Sequence, residues 1–411
     1  MNKLLYIIPF LAGLLACQKE DGFNYKMHDV DPSEIDSVFF SAGTDKVVTD
    51  GKAALSFHLE AYRTVYFGDS ASELRAVNLK SLPSNAIHIY DETGAKVDMT
   101  YYPEEAGISK TFYAQIGSAQ SELEEVEVYA PVANYEKRYV NVVFHVLELD
   151  ENDDEYDPLT YKKIDYKHLE TALNDLNRVF NNEMGNSPNA ASANIEFRLA
   201  EYTNSGSSMG KPGYNQIIYT STQAKDAETL IAELDGYYSG ARYWNHDAYL
   251  NIFVMPFSSD LKNTTPQFQN VSPENVWPGM GEVVDSDVIS TEDRTFNNLA
   301  AAVERSLFQQ APESRISIAN AIGRFYGLYA TTFGDNGGDF EDYCSDTQKY
   351  ITSGQVNQIV KTGLNGEKFN ASNAMDAMSN ASYRNHITAN QAARVRFAIE
   401  NCPGRMNGLL E

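Results

Sequence analysis

Histidine, cysteine and basic residues are all in short supply in this chain of 411 residues. The seven histidines are scattered, with no two within eight residues of each other, so no single helix turn can offer a pair of imidazoles to a metal. Three cysteines are too few for a disulfide-built scaffold. Lysine and arginine number 32 against 57 aspartates and glutamates, a net charge of -25, which leaves no basic face for a nucleic acid. The apolar run Leu4 to Leu15 is shorter than a membrane span. No G-x-S-x-G elbow, phosphate loop or dinucleotide fingerprint is present, and no internal repeat or low-complexity tract.

What is present reads as a folded, multidomain protein: 43% hydrophobic and 12% aromatic residues, in a chain long enough for two or three domains. At the N-terminus, Lys3, the apolar run and Leu14-Leu15-Ala16-Cys17 read as a lipoprotein signal, residues 1–16, with Cys17 as the acylated residue. Several acyl chains there would hold a folded domain at a bilayer. Residues 17–30 form a polar tether. From 31 to 132, short alternating runs recur: Ser37 to Phe40, Ala53 to Tyr62, Ala86 to Tyr90, Thr111 to Ile116 and Val126 to Tyr129. Turn signals such as Asp50-Gly51 and Thr93-Gly94 separate them. That rhythm predicts an all-β, immunoglobulin-like sandwich, read as a spacer.

Pro131 to Lys137 is a linker, and a second domain, 133–411, opens with a strand from Arg138 to Leu149. The acidic run Glu148 to Asp157 lacks the glycine and closing glutamate of a calcium-binding loop and reads as a solvated loop. Leu169, Leu173, Leu176, Val179 and Phe180 form a helical stripe for the core. His145, inside the strand, reads as a packed, hydrogen-bonded histidine. A central helix is expected within Ala300 to Tyr329, with Ile318, Ile322, Phe325 and Tyr329 inward and Asn320 and Arg324 together on another face. Asp335 to Asp342 reads equally as a weak calcium-binding loop of carboxylates and carbonyls or as a glycine-rich turn with solvated acids, and Ser345-Asp346-Thr347 reads as a loop cap.

Several of these segments together resemble one family. Ser317 to Phe333, SIANAIGRFYGLYATTF, has the frame of the metzincin helix H-E-x-x-H-x-x-G-x-x-H. Asp342 to Thr347 (DYCSDT), Asn373 to Ala377 (NAMDA) and Ile387 to Arg396 are similar to the segments that follow that helix in pappalysin-like metzincins. The strand at Tyr139 to Val146, the helix at Leu176 to Asn181 and the strands at Asn194 to Ala200 and Tyr249 to Pro256 extend the likeness to about two thirds of the chain. The chain most resembles the zinc-dependent metalloproteinase lipoproteins of Bacteroidetes. The resemblance implies an α/β zincin domain with a mixed sheet and a central helix, and a Met-turn at Met375. It also implies a disulfide between Cys344 and Cys402. The charged residues after Cys17 resemble that group's surface-export tag, which implies the outer face of the outer membrane, with a periplasm-facing lipoprotein as the alternative.

The departures from the pattern all fall on the chemistry. Where the family carries three zinc-binding histidines, the base glutamate and a tyrosine after the Met-turn, this chain has Asn320, Arg324, Ala330, Ala321 and Ala377. No zinc is therefore expected, and hydrolysis through it cannot run. Arg324 is expected to pair with Asp376 or Asp346 or to grip a ligand carboxylate, and His386 is the histidine nearest the cleft. The reading is a surface lipoprotein that binds peptide or protein without cleaving it, since an extended peptide pairs through main-chain bonds. The alternatives are a divergent zinc endopeptidase with relocated ligands and a purely structural surface component.

Overall fold

A computed structural model describes residues 29–68, 71–131, 135–219, 244–257, 300–311, 313–333, 342–378, 380–401, 405 and 408–410. The signal segment with Cys17, nearly all of the tether, and Cys402 lie outside the described residues. By contacts the chain divides into two compact units, one holding Leu59–Ile89 and Tyr113–Glu122 with the segment up to Phe39, the other holding Phe40–His58, Tyr90–Phe112 and everything from Leu123. The compact units therefore do not separate at residue 132: three stretches of the β-rich N-terminal region, Phe40–His58, Tyr90–Phe112 and the residues from Leu123, belong to the larger unit.

The β-rich region holds the strands β1 (Ser37–Ser41), β2 (Lys46–Val48), β3 (His58–Phe67), β4 (Ala71–Val77), β5 (Ile87–Asp91), β6 (Ile108–Ile116) and β7 (Glu124–Tyr129); β2 and β4 fall outside the β-runs expected from the sequence, and the others overlap them. In the smaller unit β3 and β4 pair antiparallel from Ala61 opposite Val77 to Phe67 opposite Ala71. In the larger unit β7 runs parallel to β2 and antiparallel to β6. In β7, Val126 and Val128 are buried while Glu125 and Glu127 between them face water, the period-two signature of a half-covered strand. Phe57 anchors this corner, its ring 5.0 Å from that of Phe112.

The main sheet is built around one long strand, β8 (Arg138–Leu149), whose residues are buried almost throughout. One edge of β8 is shared in succession by β9 (Ile195–Leu199) along Arg138–Val142 and by β10 (Tyr214–Tyr219) along Phe144–Leu149, both parallel to it. Between these two partners Gly213 takes a φ of +65°, and an added Cβ there would lie 2.9 Å from the Val142 carbonyl oxygen, so only glycine fits. The other edge carries β11 (Leu250–Met255), parallel, and β12 (Ala300–Glu304) follows parallel to β11. A final strand, β13 (Gly408–Leu410), pairs antiparallel with Arg138–Val140 and makes the sheet mixed, as expected.

Helix α1 (Tyr166–Phe180) covers the sheet with the stripe read from the sequence. Leu169, Leu173, Leu176, Val179 and Phe180 are all buried, and Asp165 caps the helix by accepting from Lys167 N–H at 3.0 Å. His145 is fully buried: its Nε2 lies 2.8 Å from Asn251 Oδ1 and its Nδ1 2.8 Å from the Asn215 amide, the packed role expected of it.

Three expectations are corrected. The span Ala300 to Tyr329 is not one helix: Ala300–Glu304 is strand β12, Arg305–Gln309 a 3-10 turn, and only Ala319–Phe325 is helical, as α2. Buried small residues 300–302 fit between β11 and the core better than they would populate an amphipathic helix. Glu148, first of the acidic run, is not solvated. It receives the Arg305 guanidinium at 2.9 Å on each oxygen, and that fully buried arginine also donates to the carbonyls of Leu147, Thr160, Tyr161 and Lys162. Asp342, last of the glycine-rich turn, is also buried.

Candidate functional site

Helix α2 and the turn at Met375 come together. The helix is short because Gly327, at φ +85°, ends it: Leu328 N–H bonds back to the Gly323 carbonyl at 2.8 Å and Gly327 N–H to that of Arg324 at 3.1 Å, a Schellman closure. Ile318, Ile322 and Phe325 are buried as expected, whereas Tyr329, beyond the closure, is half-buried. Gly323 leaves the space that the Met375 side chain fills; a Cβ there would stand 2.6 Å from Sδ.

Asn320 faces the turn at Met375: its Nδ2 donates to the Ala374 carbonyl at 3.1 Å and lies 3.8 Å from Met375 Sδ. Ala321, Ala330 and Ala377 are half-buried methyl groups with nothing to offer a metal. Arg324 is half-buried, and burial pulls its guanidinium below the usual range. The pairing expected for it with Asp376 or Asp346 does not occur, because both carboxylates have other donors. Asp376 accepts from Thr331 Oγ1 at 2.6 Å and from Asn373 N–H at 2.8 Å. Asp346 accepts from Thr388 Oγ1 at 2.7 Å and Asn390 N–H at 2.9 Å, and so caps helix α3 (Ala389–Asn401), in keeping with a capping role. Among the described residues no three histidine, cysteine or acidic side chains converge as a metal site.

The Met-turn is held by groups the sequence reading did not assign. Asn373 and Gln391 exchange amide hydrogen bonds at 2.7 and 3.0 Å, and Arg384 donates twice to the Asp376 carbonyl. Tyr350, fully buried, accepts from Ala377 N–H at 2.8 Å, so a phenol does reach the Ala377 position, from a different part of the chain. Burial pushes that phenol far up and the Asp376 carboxyl upward. No local spacing in the sequence links Tyr350 to residue 377; only the fold does.

His386 is buried beside the same turn, its carbonyl accepting from Ala374 N–H at 2.7 Å. Its Nδ1 lies 2.9 Å from Asn385 Oδ1, and burial lowers its pKa to about 4, so the ring is neutral near pH 7. Asp376 and His386 line one cavity of about 240 Å³; Arg324 does not. Cys344 is buried and forms no disulfide among the described residues, its expected partner Cys402 lying outside them.

No family model matches the chain, and no curated protein matches it. Solved structures it is similar to include those of mirolysin, a metalloprotease from Tannerella forsythia. The mature enzyme in complex with a cleaved peptide is 21% identical with a TM-score of 0.49, over 67% of this chain and 96% of that one. A promirolysin mutant is 22% identical with a TM-score of 0.48, over 67% of this chain and 84% of that one. Mirolysin in complex with compound 9 is 19% identical with a TM-score of 0.46, over 66% and 96%.

Proposed function

We propose that this protein is a surface lipoprotein whose metalloprotease-like domain binds peptide or protein without cleaving it. Cys17 is the anchor, and the β-rich N-terminal region is the immunoglobulin-like spacer. The observation that carries the reading is Asn320. In the place of a zinc ligand its amide is spent on the Ala374 carbonyl, so the helix and Met-turn are joined by a structural hydrogen bond in place of a shared metal centre. Without a Lewis acid or a glutamate at 321, no water is activated there, whereas main-chain pairing with an extended peptide uses different atoms and does not need either.

The test is the metal content of the full chain in mild detergent, incubated with zinc and desalted, followed by incubation with a denatured protein pool. A zinc-to-protein ratio near zero with peptide retained and uncut is expected. A ratio near one with chelator-sensitive cleavage would overturn the reading and install the divergent endopeptidase.

A further inference from the structure

The cavity beside the Met-turn is formed by residues of the larger unit alone, from the segments around 42–58, 186–189, 347–348 and 369–386. We infer that it is a binding site for a neutral polyhydroxylated ligand of about one sugar ring, recognised by His386 Nε2 and a rim of Ser56, Asn186, Asn370 and Tyr383.

The argument begins with His386. Its Nδ1 lies 2.9 Å from Asn385 Oδ1, an oxygen that can only accept, and 3.4 Å from Ser372 Oγ, a hydroxyl that can also accept, so both neighbours are met with the proton on Nδ1. That fixes the tautomer and leaves Nε2 as a lone-pair acceptor with no hydrogen bond among the described residues. The side chains of Ser56, Asn186, Asn370 and Tyr383 likewise line the cavity and make no hydrogen bond among the described residues. Together they present hydroxyl and amide groups that both give and accept, a set suited to a ligand that also does both at neighbouring positions.

Charge argues in the same direction. No lysine or arginine lines the cavity, and its one carboxylate, Asp376, is already taken by Thr331 and Asn373, so neither an anion nor a cation finds a counter-charge. A wholly apolar ligand would leave the free amides and Nε2 desolvated and unpaired. The rings of Phe369 and Tyr383 offer apolar surface for the C–H face of a ring. At about 240 Å³ the space equals the share of roughly eight liquid waters, below the ~300–1,000 Å³ of drug-sized pockets. The inference is independent of whether the helix cleft binds peptide or zinc.

The test uses the full chain in a sugar-free detergent and saturation-transfer NMR with glucose, galactose, mannose, fucose, N-acetylglucosamine and, as a charged control, glucuronate. At least one neutral sugar is expected to bind saturably, with glucuronate excluded. Tyr383→Phe and Asn370→Ala alter exposed side chains and should leave the melting temperature unchanged while weakening binding by about 3- to 10-fold, the effect of one lost hydrogen bond. His386→Leu should weaken it by about 10-fold or more. Absence of saturable binding by every neutral sugar, or binding that the Tyr383 and Asn370 variants leave unchanged, would overturn the assignment.

Discussion

Replacing Gly323 by alanine tests whether the helix and the Met-turn are packed as a unit. On an exposed helix the change would stabilise by about 1 kcal/mol, the difference in helix propensity between the two residues. Here the new Cβ would lie 2.6 Å from Met375 Sδ and 3.2 Å from Leu328 Cδ1, with Met375 only 1% exposed. An ordinary carbon contact is near ~3.5–4.0 Å, so the thioether must retreat by roughly 1 Å into a filled core. Overpacking of this kind costs about 1–3 kcal/mol, and the propensity gain offsets about 1 of it. The expected net effect is a loss of about 1 kcal/mol, or a fall of about 1–2 °C in melting temperature for a chain of this size. Met375→Ala removes the obstructing sulfur. In that background, itself weakened by about 2–5 kcal/mol, Gly323→Ala should change sign and become stabilising. Urea unfolding of the four proteins in the cycle reads this directly. Equal stabilisation by Gly323→Ala in both backgrounds would refute the packing argument.

Three further outcomes follow from the same structure. Arg305→Met removes the bidentate partner of Glu148 and the donor to four carbonyls, and should destabilise by about 3–5 kcal/mol in urea unfolding, with part restored by adding Glu148→Gln. Asn320→Ala should cost about 1 kcal/mol through the lost bond to Ala374, measured in the same way; a stabilised variant would remove that bond from the account. The pH dependence contains opposed contributions, of which two have a stated window. His386, at about 4 in the fold against an ordinary 6.5, gives stability present above pH 6.5 and lost as pH falls toward 4. Asp342, raised to about 6 by burial, gives stability present below pH 3.8 and lost as pH rises toward 6. Asp342→Asn removes the second contribution, so the stability of the variant relative to the parent should rise by about 3 kcal/mol between pH 3.8 and 6, and a difference that stays constant across that range would count against the assignment.

The sequence was read correctly wherever periodicity and local chemistry suffice. Strand β8 has the bounds its hydrophobic run predicts, and α1 buries the stripe at Leu169, Leu173 and Leu176. Glycines at 323 and 327 keep their places because backbone closure and close approach admit no side chain, a demand visible in one dimension. It failed where burial overrides pattern. Ala300–Glu304, alanine-rich and suited to a helix, is held as a strand by pairing with β11.

By itself the sequence determined that the five positions laid over the chemistry of the family it resembles hold asparagine, arginine and alanine, since a ligand set is a matter of residue identity. Only the tertiary structure decided what replaced it. Asn320 bonds to a carbonyl 54 residues away, Asp376 and Asp346 find donors other than Arg324, and Tyr350 arrives at Ala377 from 27 residues upstream. Side chains with several donors and acceptors can satisfy them in many ways, and which way wins depends on what the fold brings within 3 Å in a buried site, where an unmade hydrogen bond is costly.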